Sequence, residues 1–293
     1  MVDHIKLLYS VLKLRIGLAI MLCALAGVAV TPGPGPAPWQ VAILALAVLL
    51  SSGAAGAFNQ YAERDLDARM RRTRGRPFVT GRYRANAWWL SGIAVLLAGA
   101  VGVATLAVNP VAALYVLLGA LTYGVVYTVW LKRRTRLNIV IGGLAGSFAV
   151  LAGAAAVDPG LAPVPAILAL VLFLWTPPHF WSLAFACRED YAAARVPMLP
   201  VVVSEETAAR IILAHTIALV ALSLVPFAYG LGWVYLAAAA AGGGWFLVAS
   251  VRLARQPDTV NAMRNFRASL VQLTLLLGGA IVDAHLGSGP IGL

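Results

Sequence analysis

The feature that most constrains this chain is a succession of apolar runs, each about 20 residues long, separated by short polar turns. Such runs match the hydrocarbon thickness of a bilayer, where backbone N–H and C=O groups find no water. A helix satisfies those groups within one segment, so the pattern predicts an all-α membrane protein. Nine spans are expected, at residues 14–30, from about 40 to the polar stretch at 59, and at 86–108, 111–131, 137–157, 163–184, 207–229, 233–251 and 268–286. TPGPGPAP closes the first, Asn109-Pro110 the third and Asp158-Pro159-Gly160 the fifth. With 61% hydrophobic and only 11% charged residues, residues 1–293 are expected to form a single polytopic membrane domain.

The charges set an orientation. All 22 lysines and arginines fall at the N-terminus or in alternate turns, and the opposite turns have none. By the positive-inside rule the N-terminus is expected in the cytoplasm and, after nine spans, the C-terminus outside. The net charge of +11 is thus a topology device combined with an anion site, and nucleic acid is excluded as a partner. Cys23 and Cys187 show no metal-ligand spacing and predict neither a disulfide framework nor a zinc site. The N-terminal basic residues precede an apolar run without a clear cleavage site, so it reads as a retained helix. No Arg- and Ser-rich transit segment is visible, which points to a bacterial plasma membrane.

One stretch departs from this apolar background: NQYAERDLDARMRRTRGRP, Asn59–Pro77. Asn59, Glu63 and Asp67 stand four residues apart, a spacing that places them within about 80° on one helix face. Converging oxygen donors suit a hard cation such as Mg²⁺. The arginines that follow, Arg72 and Arg76 among them, suit phosphate oxygens. A topology signal would account for individual arginines but not for the acids, because Asp and Glu contribute little to orientation. Acids for a metal and cations for phosphate, at the mouth of a membrane helix, predict a site for a diphosphate with an apolar tail.

Two further clusters share that membrane face. In WTPPHFWSLAFACREDYAAARVPMLP (Trp175–Pro200), Pro177 and Pro178 are expected to break or kink the sixth span. Asp190 is the acid expected to join Asn59, Glu63 and Asp67 as catalytic and metal-binding residues, with Arg188 beside it for phosphate. In YTVWLKRRTRLNIVIGG (Tyr127–Gly143), Lys132 and Arg133 are placed to hold a leaving phosphate oxygen, while Arg134 and Arg136 read as topology charges. Together these parts fit ionisation of an allylic diphosphate, with the cation shielded from water. Aromatic faces stabilise such a cation, and Tyr61, Tyr123, Tyr127, Trp175 and Phe180 are candidates. No Walker loop, GxGxxG or Ser/His/Asp order is present.

On these residues the chain resembles the UbiA superfamily of intramembrane prenyltransferases, and within it the protohaem IX farnesyltransferase (haem O synthase) family. The similarity runs from about Tyr9 to about Asp283. It rests on N-x3-E-x3-D followed by Met70, Arg72 and Thr73, on YTxxLKRxTxxNIVIGG and on PPHFW…REDYxxAxVPMLP. Glu63 stands where many members carry Asp, and Ala194 stands four residues after Asp190 in place of a second Asp.

The resemblance implies nine transmembrane helices around a central cavity open to the cytoplasm. It also implies transfer of farnesyl from farnesyl diphosphate to a vinyl group of haem B, with Mg²⁺ as cofactor. His179 is expected to place the haem. A haem A synthase or terminal oxidase subunits are the implied downstream partners. Three rival readings remain: an aromatic prenyltransferase of quinone or chlorophyll synthesis, an ion-coupled transporter, and a non-catalytic oxidase assembly factor. A transporter predicts acids near the midplane, whereas these lie at span ends.

Overall fold

The computed structural model describes residues 2–287, all of whose regular elements are helical. Helices α1 (Val2–Val11) and α2 (Leu14–Val30) form a pair bent by 54°. Pro38 opens α3 (Pro38–Ala62), and the short α4 (Arg64–Asp67) continues it past a break at Glu63. Asn86 caps α5 (Ala87–Ala107), and Asn109 caps α6 (Pro110–Leu121), which passes into a π-helical segment over Thr122–Leu131. The next span comprises α7 (Asn138–Gly142) and α8 (Leu144–Val157), followed by α9 (Pro163–Ala186). Two short helices, α10 (Arg188–Ala193) and α11 (Leu199–Val202), lead to α12 (Glu205–Ala228), α13 (Trp233–Arg255) and α14 (Thr259–Leu286). Eight helices among the described residues are long and apolar enough to cross a membrane, or nine if the bent α1–α2 pair is one span.

Consecutive spans pack as neighbours, and α14 returns to contact α2 and α9, closing the bundle. Two glycines mark a close crossing of α2 on α8. A Cβ at Gly27 would overlap the carbonyl of Val150, and one at Gly153 would overlap the carbonyl of Ala24, so both glycines permit backbone contact. Large apolar side chains such as Trp88, Val95 and Leu106 lie exposed on α5, as expected of a surface facing lipid. The buried Asp283 accepts from the N–H groups of Gly232 and Tyr235, at 2.5 and 3.2 Å, and so caps the start of α13.

Two expectations from the sequence need correction. Helix α14 begins at Thr259, nine residues before the expected 268, because Asp258 caps Asn261 N–H at 2.7 Å and a polar first stretch propagates the helix. Of the break or kink expected at the two prolines, the break does not occur, because α9 runs through them to Ala186. Packing of α9 against α8, α12 and α14 holds the helix where proline removes its own hydrogen bonds.

Candidate active site

The four-residue step survives the break between α3 and α4. Glu63 N–H bonds Asn59 O at 3.0 Å and Asp67 N–H bonds Glu63 O at 2.8 Å, so the three side chains share a face. All three are buried. Burying carboxylates is costly unless each is paired, and each is. Lys132 Nζ lies 2.5 Å from Glu63 Oε2, and Arg76 Nη1 donates to both oxygens of Asp67 at 2.8 and 2.7 Å. Lys13 Nζ donates to Asn59 Oδ1 at 2.6 Å and to the Tyr123 hydroxyl at 2.8 Å, and Asn59 Nδ2 donates to Thr128 Oγ1 at 2.9 Å. The site is thus a lattice of two carboxylates and one amide interleaved with three cations.

The π-helical segment makes this lattice possible. At about 100° per residue, the nine steps from Tyr123 to Lys132 would place the two on opposite faces of an α-helix. In the i→i+5 pattern the turn per residue falls to about 80°, and nine steps come close to two full turns. Lys132 N–H bonds Tyr127 O, five residues back, at 2.9 Å. Tyr123 and Lys132 therefore face the same carboxyl cluster, and the Tyr123 and Tyr127 rings stack 5.8 Å apart beneath it. Burial opposes the charge on Lys132, but the Glu63 carboxylate more than offsets this and holds the ammonium above its ordinary pKa.

Lys13 is a site residue that the sequence reading treated only as a topology charge. It sits at the bend between α1 and α2 in the left-handed region, φ 48°. Gly56 leaves room for it: a Cβ there would stand 3.3 Å from Leu12 O and 3.4 Å from the Lys13 side chain. The only sequence signal was a lysine just ahead of an apolar run, which any membrane helix can carry.

The other expected residues are distributed around this centre. Asp190 accepts from the backbone N–H groups of Arg71 and Arg72 at 3.0 and 3.2 Å, and Arg71 also pairs with Glu189. The Asp190 carboxylate thus clamps the loop that carries Arg76 into the site. The Arg72 residue is exposed at the rim. Arg133 makes a two-point pair with Asp65 at 2.8 Å, which holds Asp65 below the usual carboxylate range, and Arg188 pairs with Glu205 at 2.7 Å. Both pairs lie at the surface, outside the buried lattice.

No three His, Cys, Asp or Glu side chains converge as a preformed metal cage among the described residues. The donor set nonetheless suits a hard cation: two carboxylates and an amide oxygen on one face, with Glu63 Oε1 buried and unpartnered.

His179 belongs to a second cluster on α9 and α14. Its ring stacks on Trp175, centroids 4.1 Å apart, and on Phe266 at 4.6 Å. Its Nδ1 meets Ser269 Oγ at 2.7 Å. Both faces and one nitrogen are occupied, so the ring is fixed in position. Asn265, on the same stretch of α14, donates to Ser182 Oγ at 2.9 Å and accepts from Ser250 Oγ at 2.9 Å. Phe266 and Ser269 lay at the edge of the expected ninth span and carried no motif of their own.

Comparison with known proteins shows the family and the fold. The chain is 60% identical over 283 residues to protoheme IX farnesyltransferase 2 of Paramagnetospirillum magneticum, covering 97% of this chain and 98% of the relative. A solved structure of a digeranylgeranylglyceryl phosphate synthase superposes with a TM-score of 0.78 at 18% identity, over 96% of this chain and 99% of that one. A UbiA homologue from Archaeoglobus fulgidus bound to GPP and Mg²⁺ gives 0.65 at 16% identity, over 94% and 99%. Residues 20–274 match the UbiA prenyltransferase family, and the chain belongs to it.

Proposed function

We propose that the chain is a protohaem IX farnesyltransferase, joining the farnesyl group of farnesyl diphosphate to a vinyl group of haem B to give haem O. The observation that carries this reading is the buried lattice of Glu63, Asp67 and Asn59 with Lys132, Arg76 and Lys13, in a chain 60% identical to a curated enzyme of that name. The fold supplies the prenyltransferase framework, and the relative supplies the acceptor.

Glu63, Asp67 and the Asn59 amide oxygen are the residues that would hold Mg²⁺, with Asp190 as a further donor from α10. The ion, when bound, neutralises charge on the diphosphate and so eases its departure. Lys132 and Arg76, freed from Glu63 and Asp67, and Lys13, freed from the Asn59 amide, bind diphosphate oxygens, with Arg72 at the rim. Arg133 and Arg188 reach phosphate only by leaving Asp65 and Glu205. The C1–O bond breaks with its electron pair leaving on the diphosphate. The stacked Tyr123 and Tyr127 rings face the resulting allylic cation. The terminal vinyl carbon of haem B attacks C1, water adds to the adjacent carbon, and loss of its proton completes the hydroxyethylfarnesyl group. His179 positions the haem, through its iron or a propionate, using the nitrogen not bonded to Ser269. The basic turns support a cytoplasmic N-terminus and an outer C-terminus in a bacterial plasma membrane.

The test is one reaction. Purified protein receives haem B and farnesyl diphosphate with Mg²⁺ or EDTA, and the haems are separated by chromatography and mass. A Mg²⁺-dependent product carrying one farnesyl group and one water is expected, and Glu63→Gln and Asp67→Asn abolish it. Prenylation of an added hydroxybenzoate, with haem untouched, would move the chain to an aromatic-acceptor branch.

A further inference from the structure

Helices α13 and α14 carry a feature that farnesyl transfer does not use. Where α13 ends and α14 begins, two adjoining cavities open on the outer face of the bundle. One, of about 350 Å³, is lined by Arg252, Arg255, Gln256, Asn261 and Arg264. The other, of about 320 Å³, shares Arg252, Asn261 and Arg264 with the first. It continues away from the helix ends along Trp245, Val248 and Val271, with Arg267 on its flank.

Among the described residues no carboxylate forms an ion pair with Arg252, Arg255, Arg264 or Arg267. The nearest acid in sequence, Asp258, is engaged with Asn261 N–H and Nδ2 at 2.7 and 3.0 Å. A topology signal accounts for basic residues at this end of the helices, but not for the apolar trench running down from them between two spans.

The combination has the shape and charge of an amphiphile: a cationic bowl at the helix ends, where the bilayer's headgroups lie, above an apolar trench at acyl depth. Trp245 is 63% exposed on the trench wall, where it faces the bilayer. We propose that this face binds an anionic phospholipid, its phosphate held by Arg252, Arg264 and Arg267 and one acyl chain lying along Trp245, Val248 and Val271. The occupant follows from charge complementarity with the bowl together with the continuous apolar floor, which a free anion would leave bare.

Trp245 provides the measurement. Full-length protein is reconstituted with brominated phosphatidylglycerol or brominated phosphatidylcholine, and quenching assigned to Trp245 is isolated by difference from Trp245→Phe. Phosphatidylglycerol is expected to bind in preference by about 100-fold, at about fivefold for each of three arginines near the surface. The R252Q/R264Q/R267Q variant loses that preference. The R134Q/R136Q variant, which alters exposed arginines in another basic turn, keeps it. Gel filtration and circular dichroism confirm that each variant is folded.

Equal quenching by the two lipids in the wild type would overturn the proposal, as would equal loss of preference in the R134Q/R136Q control. Displacement of the phosphatidylglycerol signal by inorganic phosphate at matched concentration would make this a free-anion site. A Trp245 signal that follows protein concentration instead of lipid would mean that a second copy covers the face.

Discussion

The Glu63–Lys132 pair is the site's most consequential contact, because the Glu63 side chain is 1% exposed and that of Lys132 11%. Removing one member of a buried pair strands the other charge, at a cost of about 3 kcal/mol or more. Lys132→Met should therefore lower the unfolding midpoint in detergent as well as abolish turnover. The E63Q/K132M double variant should recover most of that midpoint while staying inactive, a non-additivity that a surface charge would not show. The pH dependence follows from the raised Lys132 pKa. A group raised above its ordinary 10.5 keeps its full contribution below that value and loses it only as pH climbs through the folded-state pKa. The coupling between Glu63 and Lys132, read from the midpoints of E63Q, Lys132→Met and E63Q/K132M against wild type, should thus stay flat from about pH 6 to about pH 9. Asp65–Arg133 is the contrast: an exposed pair contributes little, and Arg133→Gln should leave the midpoint nearly unchanged.

At the scale of elements, legibility depended on whether a property is periodic. Apolar runs and turn residues placed most spans to within a few residues, and the spacing of Asn59, Glu63 and Asp67 placed them on one face. Three features were not readable in this way. The π-helical segment is invisible to a pattern search tuned to 3.6 residues per turn, so Tyr123 and Lys132 seemed unrelated. Lys13 enters the site through a bend at a left-handed residue, which no apolar run reports. The prolines of α9 obey neighbours distant in sequence, whose packing overrides a local preference. The π geometry is open to test: deleting Val125, which is exposed on that segment, removes one residue from the widened turn and rotates Lys132 away from Glu63. Far-ultraviolet dichroism should remain helical while turnover falls by about 100-fold or more, as expected of a misplaced binding group. Gly153→Ala tests the α2–α8 crossing separately. Its Cβ has no space at the Ala24 carbonyl, so a loss of about 1–3 kcal/mol in stability is expected.

Across the whole molecule, cations and carboxylates from distant parts of the chain meet at one end of the bundle and neutralise one another there. Lys13 comes from the α1–α2 bend, Asn59, Glu63 and Asp67 from the α3–α4 junction, Arg76 from the clamped loop and Lys132 from the end of the π-helical segment. This mutual pairing implies that a divalent cation arriving alone must compete with Lys132 and Arg76 for Glu63 and Asp67. A diphosphate arriving alone must draw the same two cations from buried carboxylates. Bound together, metal and diphosphate exchange partners with the lattice, so that no charge is left uncompensated. The two should therefore bind with positive coupling, and by linkage each should strengthen the other by the same factor. Calorimetric titration of Mg²⁺ with and without a non-ionisable farnesyl thiodiphosphate measures that factor, and about tenfold or more is expected. In E63Q/K132M, where one of the exchanging pairs is already neutral, the coupling should shrink even though the remaining pair, Asp67–Arg76, is intact. Equal Mg²⁺ affinity with and without the thiodiphosphate in the wild type would show that the carboxylates are open to metal from the start, and that the cations do not guard them.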